Sequence, residues 1–519
     1  MSRSTRWVEF KSPVKPLQRT KQRSVWLIVA LCAALVAGCQ PRDDGTWRFG
    51  LASAPLNLDP RFATDASSVR VNALIYERLV EFDAQSMPIP SLGAWDALTP
   101  THYRVTLRTP RDVFHNGEPL TSRDVEATYR FVLDPVNSSP HRGALTIIDK
   151  IVAPNDEQVD FFLTAPDPIF PARLTLGIVP ARLIASGHRF QNSPLGSGPF
   201  KFAERPDENR LRVIRSADNQ PVEFITVKDP TVRVLKLLRG EIGMTQNDLQ
   251  PELVRYLEDQ GGIDVIRAPG TNFSYLGFNM QDPVLSRRGV REAIARGIDR
   301  NAIIQHMWGG AARRAGALLP PEHWAGTADV PNYDYDPEGA RRLLKQAGYG
   351  ADKPLKLTYK TSSDAFRVRL ATIIQDQLKR IGIDIEIQSY DWATFYGDIK
   401  AGRFQLFSLS WVGVKSPDIF RYVFHSQSFP PEGANRGRFS DSHADYLIEA
   451  AEQGLSLEEQ AHYYRLLQFY LSYQLPYVPL WFEDHVYAGR DGFRGYAIAP
   501  DGNFSALRDV LWVGKTHAD

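Results

Sequence analysis

The chain of 519 residues has few cysteines, almost no net charge and no long apolar segment in its body. Its two cysteines, Cys32 and Cys39, are too few and too close together for a disulfide framework or a thiolate zinc site. Lysine and arginine number 61 and aspartate and glutamate 60, so the basic surface of a nucleic-acid-binding protein is missing. Beyond residue 39, no apolar run approaches the roughly eighteen residues of a membrane-spanning helix. These absences exclude a disulfide scaffold, a nucleic-acid partner and a polytopic membrane protein.

The motifs of the common catalytic and metal sites are also missing. The sequence contains no H-E-x-x-H, no C-x-x-C, no P-loop and no G-x-S-x-G elbow, and its eleven histidines lack metal-ligand spacing. The nearest match to an activated-serine turn is the GSG segment at 196–198. Pro199 follows it where a helix needs free amides, so we interpret this segment as a tight chain crossing. We therefore predict a protein without enzymatic activity, metal or cofactor.

The N-terminus has the pattern of an export signal. Seven basic residues and one acidic residue in the first 24 precede a run of fourteen uncharged residues, 25–38, which is too short to span a bilayer. The run ends in LVAGC, which resembles the bacterial lipobox, so Cys39 is predicted to become a lipidated N-terminus after cleavage of residues 1–38. A short buried helix and a plain secretory signal with an incidental cysteine are the alternatives. Residues 39–45 are a linker, and the mature protein keeps 54 basic and 59 acidic residues.

The rest of the chain alternates helix and strand patterns without internal repeats. Residues 102–108 alternate apolar and polar side chains, as in a half-buried strand. Thr121 with Asp124 three positions later marks the start of a helix, and Asp364 starts another that leads into a strand at 383–387. The expected fold class is α/β.

A series of short motifs runs in a fixed order from about residue 46 to the C-terminus. They are LDP at 58–60, IYERLVEFD at 75–83, FHNGEPLTSRDV at 114–125, GSGPF at 196–200, YLGFN at 275–279, VREAI at 290–294, IDR at 298–300, YDP at 335–337, NRGRFSD at 435–441 and PYVPL at 476–480. In this order they resemble the family 5 extracellular solute-binding proteins, the oligopeptide- and dipeptide-binding components of ABC importers.

The resemblance implies a two-lobed periplasmic-binding-protein type II fold with an extra N-terminal subdomain. The implied boundaries are 46–75, 186–268 and 484–519 for lobe I, 76–185 for its subdomain and 269–483 for lobe II. The implied function is capture of a peptide or peptide-like solute between the lobes and its delivery to a membrane permease that works with an ATPase. The protein would be a periplasmic monomer attached to the membrane through its N-terminal lipid. A sensor or scaffold of the same fold, a binder of a non-peptide anionic solute and a hydrolase that has borrowed the fold are the rival hypotheses.

The segment WVGVKSPDIF at 411–420 departs from the family pattern. Trp411 matches the family tryptophan that packs on the ligand, but Val414 stands where the family places the aspartate that pairs with the peptide ammonium. Lys415 is either a solvated loop residue or a cation of the site. Asp418 is either a ligand contact or part of a helix start, with Ser416 as its cap and Pro417 at the first helical position.

Two further residues complete the predicted ligand-binding set. Asn279 lies in the YLGFN motif, and Lys400 is either a cation for a ligand carboxylate or a surface charge. Without the amine anchor at position 414, an ammonium group would lose a charge-assisted contact of about 1.5 to 3 kcal/mol. The sequence therefore favours N-blocked peptides, murein-type fragments or an anionic solute.

Overall fold

A computed structural model describes residues 44–514 of the chain. The signal-peptide prediction for residues 1–38 and the lipidation of Cys39 lie outside the described residues. The chain divides between Thr46 and Trp47, and the fold below is that of the unit that begins at Trp47. Within the described part of the chain, no helix is long and apolar enough to cross a membrane.

Helices and strands alternate along most of the described chain. The α-helices are α1 (Ala66–Ile75), α2 (Ser122–Leu133), α3 (Arg142–Leu145), α4 (Ala181–Ala185), α5 (Pro230–Arg239), α6 (Pro251–Glu258), α7 (Arg288–Gly297), α8 (Arg300–Met307), α9 (Pro337–Gln346), α10 (Ala365–Lys379), α11 (Trp392–Lys400), α12 (Ile419–Phe424), α13 (Ser442–Gln453) and α14 (Leu457–Gln474). Short 3-10 helices lie at Pro135–Asn137, Phe170–Arg173 and Ser505–Arg508. The strands are β1 (Trp47–Leu51), β2 (Val80–Phe82), β3 (Pro88–Pro90), β4 (Gly93–Thr99), β5 (His102–Leu107), β6 (Ile148–Val152), β7 (Gln158–Leu163), β8 (Phe200–Asp207), β9 (Arg210–Arg215), β10 (Pro221–Thr226), β11 (Met244–Gln246), β12 (Ile263–Phe278), β13 (Ala312–Arg314), β14 (Leu355–Ser362), β15 (Ile383–Tyr390), β16 (Leu406–Trp411), β17 (Tyr477–Arg490), β18 (Phe493–Arg494) and β19 (Leu511–Trp512).

One large mixed sheet runs through the unit in the order β15-β14-β16-β12-β17-β11-β1-β10-β9-β8, with β13 beside β17. Its two halves each contain parallel strands, β14 with β15 and β16 on one side and β1 with β10 and β11 on the other. The long antiparallel strands β12 and β17 join the halves, and we call them the crossing strands. A second antiparallel sheet has the order β4-β5-β7-β6. This organisation confirms the α/β prediction.

Separate hydrophobic cores pack against different parts of these sheets. In the half with β14 and β15, one face packs against α7, α9 and α10, and the opposite face packs against α11 to α14. The half with β1 and β10 shares its core with α1. The four-stranded sheet has its own core with α2. Each part therefore has an apolar interior of its own, which the crossing strands connect.

Local sequence signals explain where several elements begin and end. Thr121 N and Oγ1 donate to the Asp124 carboxylate at the start of α2, as the predicted capping pattern requires. The Asp364 side chain accepts from Arg367 N and caps α10. After α10, Gly382 has φ +95°, a left-handed conformation that suits glycine, and β15 follows directly. These helix and strand predictions are confirmed.

The GSG segment at 196–198 is a close chain crossing, as predicted. Gly198 N donates to Ile75 O at 2.8 Å, and a Cβ on Gly196 would lie 2.2 Å from that same oxygen. A side chain at Gly196 would therefore collide with the backbone at the end of α1. This contact explains why glycines occupy the segment and gives Ser197 no place in a nucleophile turn.

Candidate functional site

A cavity of about 420 Å³ lies between the predicted segment 411–419 and the helix α1. Residues 172–177 and the side chains of Arg78 and Phe82 complete its walls. We call it the first cavity. Trp411, Val414, Lys415 and Asp418 all line it, so the structure brings four of the predicted site residues together.

Trp411 ends strand β16, and its ring forms part of the cavity wall. The Arg436 guanidinium lies 4.6 Å from the centre of this ring and bonds the hydroxyls of Tyr275 and Tyr396 at 3.2 Å each. Tyr422 contacts the indole edge-on at 6.2 Å. The cation and the aromatic neighbours fix the orientation of the indole, which is what a residue that packs on a ligand needs.

Two side chains from other segments hold the loop that follows Trp411. Asn272 Oδ1 accepts a hydrogen bond from Gly413 N at 3.2 Å, and His323 Nε2 donates to Lys415 O at 2.9 Å. His323 Nδ1 accepts from Ala325 N, so both ring nitrogens are used by the neutral ring. Burial lowers the pKa of His323 to about 4. The loop conformation therefore depends on a histidine that stays neutral at physiological pH.

The loop turns Val414 inward and Lys415 toward an acid. Val414 is 8% exposed and belongs to the core of α11 to α14. Lys415 Nζ lies 2.5 Å from Asp501 Oδ2 and 5.2 Å from the ring centre of Phe82. Burial alone would raise the pKa of Asp501, but the charge and hydrogen bond of Lys415 lower it to about 2. The Lys415 ammonium is thus paired within the protein, which reduces its repulsion toward a ligand cation.

Asp418 is exposed, lines the first cavity and occupies the N-cap position of α12, so it is part of a helix start, although the cap and the first helical position lie two residues later than predicted. Helix α12 begins at Ile419, and no hydrogen bond joins the Asp418 side chain to the helix. The buried Pro417 belongs to the turn that leads out of the cavity loop. Phe420 N donates a hydrogen bond to Pro417 O across this three-residue turn. Ser416 and Pro417 therefore precede the helix.

Asn279 and Lys400 lie apart from these four residues and do not line the first cavity. Asn279 Nδ2 donates to the carbonyls of Gly402 and Phe404, and so fastens the turn that follows α11. Lys400 is exposed, with Nζ 5.1 Å from the ring centre of Tyr396. Their visible contacts are structural, and any ligand role for them stays a prediction.

The residues of the opposite wall of the first cavity were not predicted from the sequence. Helix α1 contributes Asn72 and Ala73, and Arg78 lines the cavity while paired with Glu81 at 2.6 Å. His141 also lines it, with Nε2 3.0 Å from Ala63 O, and burial lowers its pKa. The IYERLVEFD motif, which includes Arg78, was the available signal, but its apolar spacing favoured a structural interpretation.

A second cavity of about 380 Å³ lies where strands of both sheet halves end. Strands β1, β10 and β11 end just before the lining residues Ala52, Lys228 and Asn247, and β14 ends just before Asp364. Ligands of open α/β sheets bind at the carboxyl ends of parallel strands. The crossing strands contribute Glu483 to this cavity, and no residue of the cavity belongs to the predicted set.

Between residues 44 and 514, no group of three or more metal-ligating side chains is placed to hold a metal ion.

Comparison with known families gives one match that spans most of the chain. The family model described as bacterial extracellular solute-binding proteins, family 5 middle, matches residues 95–429, nearly two thirds of the sequence. The di/tripeptide-binding protein 2 of Pseudomonas aeruginosa is 28% identical over 522 residues, covering 93% of this chain and 97% of the relative. The dipeptide-binding protein of Escherichia coli is 24% identical, covering 86% and 91% of the two chains.

Solved structures share the same architecture. The periplasmic binding protein DppA of Helicobacter pylori, in complex with the peptide STSA, has a TM-score of 0.74 and 25% identity over 90% of this chain and 98% of its own. The ABC transporter substrate-binding protein CtaP of Listeria monocytogenes has a TM-score of 0.83 and 23% identity, covering 91% of this chain and all of its own. These likenesses confirm the predicted periplasmic-binding-protein fold.

Proposed function

Because the chain belongs to the bacterial extracellular solute-binding proteins of family 5, we propose that it is the substrate-binding lipoprotein of an ABC importer. It captures a peptide or peptide-like solute in the cleft between two lobes and delivers it to a membrane permease, which works with an ATPase. It acts as a periplasmic monomer, anchored through a lipid on Cys39 after removal of residues 1–38. It makes and breaks no bond in its cargo.

The observation that carries this proposal is the first cavity, which has walls from two distant parts of the chain. Segment 411–419 forms one wall and helix α1 the other, with Trp411 held in place by Arg436. Its volume of about 420 Å³ is within the range of small-ligand sites. The names of the relatives from Pseudomonas aeruginosa and Escherichia coli support a di- or tripeptide as cargo.

The proposed lobes follow from the same relationship. Lobe I comprises residues 46–75, 186–268 and 484–519, its subdomain residues 76–185, and lobe II residues 269–483. The crossing strands β12 and β17 pass near both boundaries, so they are suited to act as hinges when the cleft closes on a solute. The pairing of Lys415 with Asp501 makes this lysine less available to an anionic, non-peptide cargo.

Mass spectrometry and calorimetry test the proposal on protein purified from the cell envelope. We expect native spectra to contain a co-purified peptide, intact-mass spectra to show a lipidated chain that begins at Cys39, and calorimetry to show micromolar or tighter binding of some di- or tripeptides. Peptides recovered after incubation should be intact. Absence of peptide binding would contradict the transport role, and cleavage of the peptide would favour the hydrolase hypothesis.

A further inference from the structure

Two opposite charges face the second cavity without forming a direct hydrogen bond. Arg367, in the first turn of α10, and Glu483, on crossing strand β17, both line the cavity. Their closest atoms, Nη1 and Oε1, are 3.8 Å apart, which exceeds the distance of a hydrogen-bonded ion pair. Their side chains are 33% and 17% exposed. Solvent in the cavity therefore reaches both groups.

The Glu483 carboxylate is held in one orientation by hydroxyl groups. Ser274 Oγ donates to Oε1 at 2.6 Å and Ser410 Oγ lies 3.4 Å from the same oxygen. These bonds use one oxygen only, and within residues 44–514 no donor bonds Oε2. A carboxylate with one fixed oxygen and one free oxygen is ready to accept a donor from a ligand.

The facing wall offers donors and an apolar surface. In the described structure, the Arg367 guanidinium forms no hydrogen bond, and its ion pair with Glu483 is 3.8 Å long. The indole of Trp308 lines the same cavity, and its buried Nε1 has no partner among the described residues. The rings of Trp308 and Phe366 meet edge-to-face at 4.9 Å beside these groups. Arg367, Trp308 and Glu483 thus bring unpaired donors and an acceptor to the lining of one cavity, together with aromatic surface.

The arrangement matches a ligand group that carries both charges on neighbouring atoms. Charges of both signs line the cavity, with Lys228, Arg267, Asp248, Asp364 and Asp484 in addition to Arg367 and Glu483, so an ion of a single sign meets repulsion as well as attraction there. An ammonium and a carboxylate on the same carbon place each charge beside its opposite, and a guanidinium binds a carboxylate through two parallel hydrogen bonds. The chemical group with this geometry is the α-amino acid head.

A hydrogen bond links the lining of the second cavity to the lining of the first. Asn272 lines the second cavity, and its Oδ1 accepts a hydrogen bond from Gly413 N, which lines the first. Ser410, which contacts Glu483, directly precedes Trp411. The second cavity therefore adjoins the wall of the proposed peptide site.

We propose that the second cavity binds the α-amino acid head of the peptide-class solute, with its ammonium on Glu483 and its carboxylate on Arg367. This inference rests on the proposed function and narrows its substrate class to peptide-like solutes that retain both groups on one carbon. Glu483 then supplies the carboxylate that is missing at Val414. The expected preference for N-blocked ligands is replaced by its opposite.

Two isomeric dipeptides distinguish this arrangement. γ-L-Glutamylglycine keeps its ammonium and a carboxylate on one carbon, whereas in α-L-glutamylglycine an amide replaces that carboxylate. The two have the same composition and charge. By calorimetry on the mature protein, we expect the γ isomer to bind about ten- to a hundredfold more tightly, as for a charge-assisted contact. The wild-type comparison alone tests the inference.

Variants of Glu483 and Arg367 test whether these two residues cause the preference for the γ isomer. Glu483→Gln and Arg367→Gln should each reduce the preference for the γ isomer to within about threefold, since each removes one charged contact. Glu452→Gln is the matched control, because Glu452 is also partly exposed and paired with an arginine, Arg421, but lies outside both cavities. It should leave the preference unchanged.

The outcomes separate the two claims. Equal affinity of the isomers for the wild type, or a preference that both cavity variants retain, would overturn the inference while leaving peptide binding intact. Failure of these isomers and of all other di- and tripeptides to bind would overturn the proposed function together with the inference. Selective binding of the γ isomer that depends on Glu483 and Arg367 supports both.

Discussion

The two cavities both contain a cation beside an acid, but the cation is used differently in each. In the first, the lining residue Lys415 is 2.5 Å from Asp501, an acid outside the cavity lining. In the second, Arg367 is 3.8 Å from Glu483, and both side chains line the cavity. A charge that the fold has already paired contributes shape and stability to a site, whereas an incompletely paired charge remains available to a ligand. The residue type alone does not reveal which case applies.

The two cavities also differ in how they are built. The loop of the first cavity is held by His323 and Asn272 against a large aromatic core. The second cavity is bounded by strand ends and by the crossing strands, with the Arg369–Glu252 ion pair between α10 and α6 nearby. Variants that act on one cavity and spare the other test this contrast.

The largest effect is expected for Trp411→Ala, which removes a wall of the first cavity. The ring packs against Arg436 and Tyr422, so its loss should lower the free energy of unfolding by about 3 kcal/mol and weaken peptide binding. Denaturant unfolding and calorimetry measure the two effects. Trp392→Ala is the control, because Trp392 is 59% exposed and outside both cavities. Equal losses in the two variants would contradict a special role for Trp411.

A smaller effect is expected for Asp501→Asn, which removes the acid that pairs with Lys415. The pKa of Asp501 falls from 3.8 to about 2 on folding, which corresponds to about 2 kcal/mol of stability. Because the folded-state pKa is the lower one, this stability is present above about pH 4 and is lost as the pH falls toward 2.

Unfolding free energies measured against pH check this prediction. The difference between the wild type and Asp501→Asn should be at least about 2 kcal/mol at pH 7 and should shrink below pH 4. Asp509→Asn is the control, since Asp509 is 62% exposed and pairs with an equally exposed Arg508. A difference that stays constant from pH 7 to pH 2 would mean that the carboxylate charge is not the source of the stability.

The smallest effect is expected for Arg369→Gln, near the second cavity. Arg369 Nη2 lies 2.8 Å from Glu252 Oε1, but both side chains are about 45% exposed. Solvent-exposed ion pairs contribute less than about 1 kcal/mol, and salt reduces that further. Arg380→Gln, which removes a more exposed pair with Asp376 on the same helix, provides the comparison in thermal unfolding. A loss of about 2 kcal/mol or more, roughly twice the range of surface ion pairs, would show that the pair couples the two helices strongly.

Much of the fold could be predicted because its signals are local. The cap of Thr121 with Asp124, the cap of Asp364 and the stop at Gly382 each depend on residues a few positions apart, and all three predictions are confirmed. The start of α12 was predicted two residues too early, because Pro417 lies in the turn before the helix and Asp418 rather than Ser416 occupies the cap position. The motifs also indicated the family correctly.

The candidate site was predictable only in part. The segment 411–418 was found because its tryptophan and its missing aspartate stand out against the family pattern, and its four predicted residues share one cavity. Arg367 and Glu483 carried no such signal. Glu483 was part of a strand with neighbouring acids, and Arg367 followed a helix cap, so each had an ordinary structural interpretation.

The sequence by itself determined the α/β class, the family and the segment around Trp411, because short-range patterns and ordered motifs encode them. Only the tertiary structure decided which charges are paired. The hydrogen bond between His323 and Lys415 joins residues 92 positions apart, and the one between Ser274 and Glu483 joins residues 209 positions apart. Electrostatic pairing depends on distances of a few ångströms between side chains, and for residues this far apart in the chain only the packing of strands and loops sets those distances.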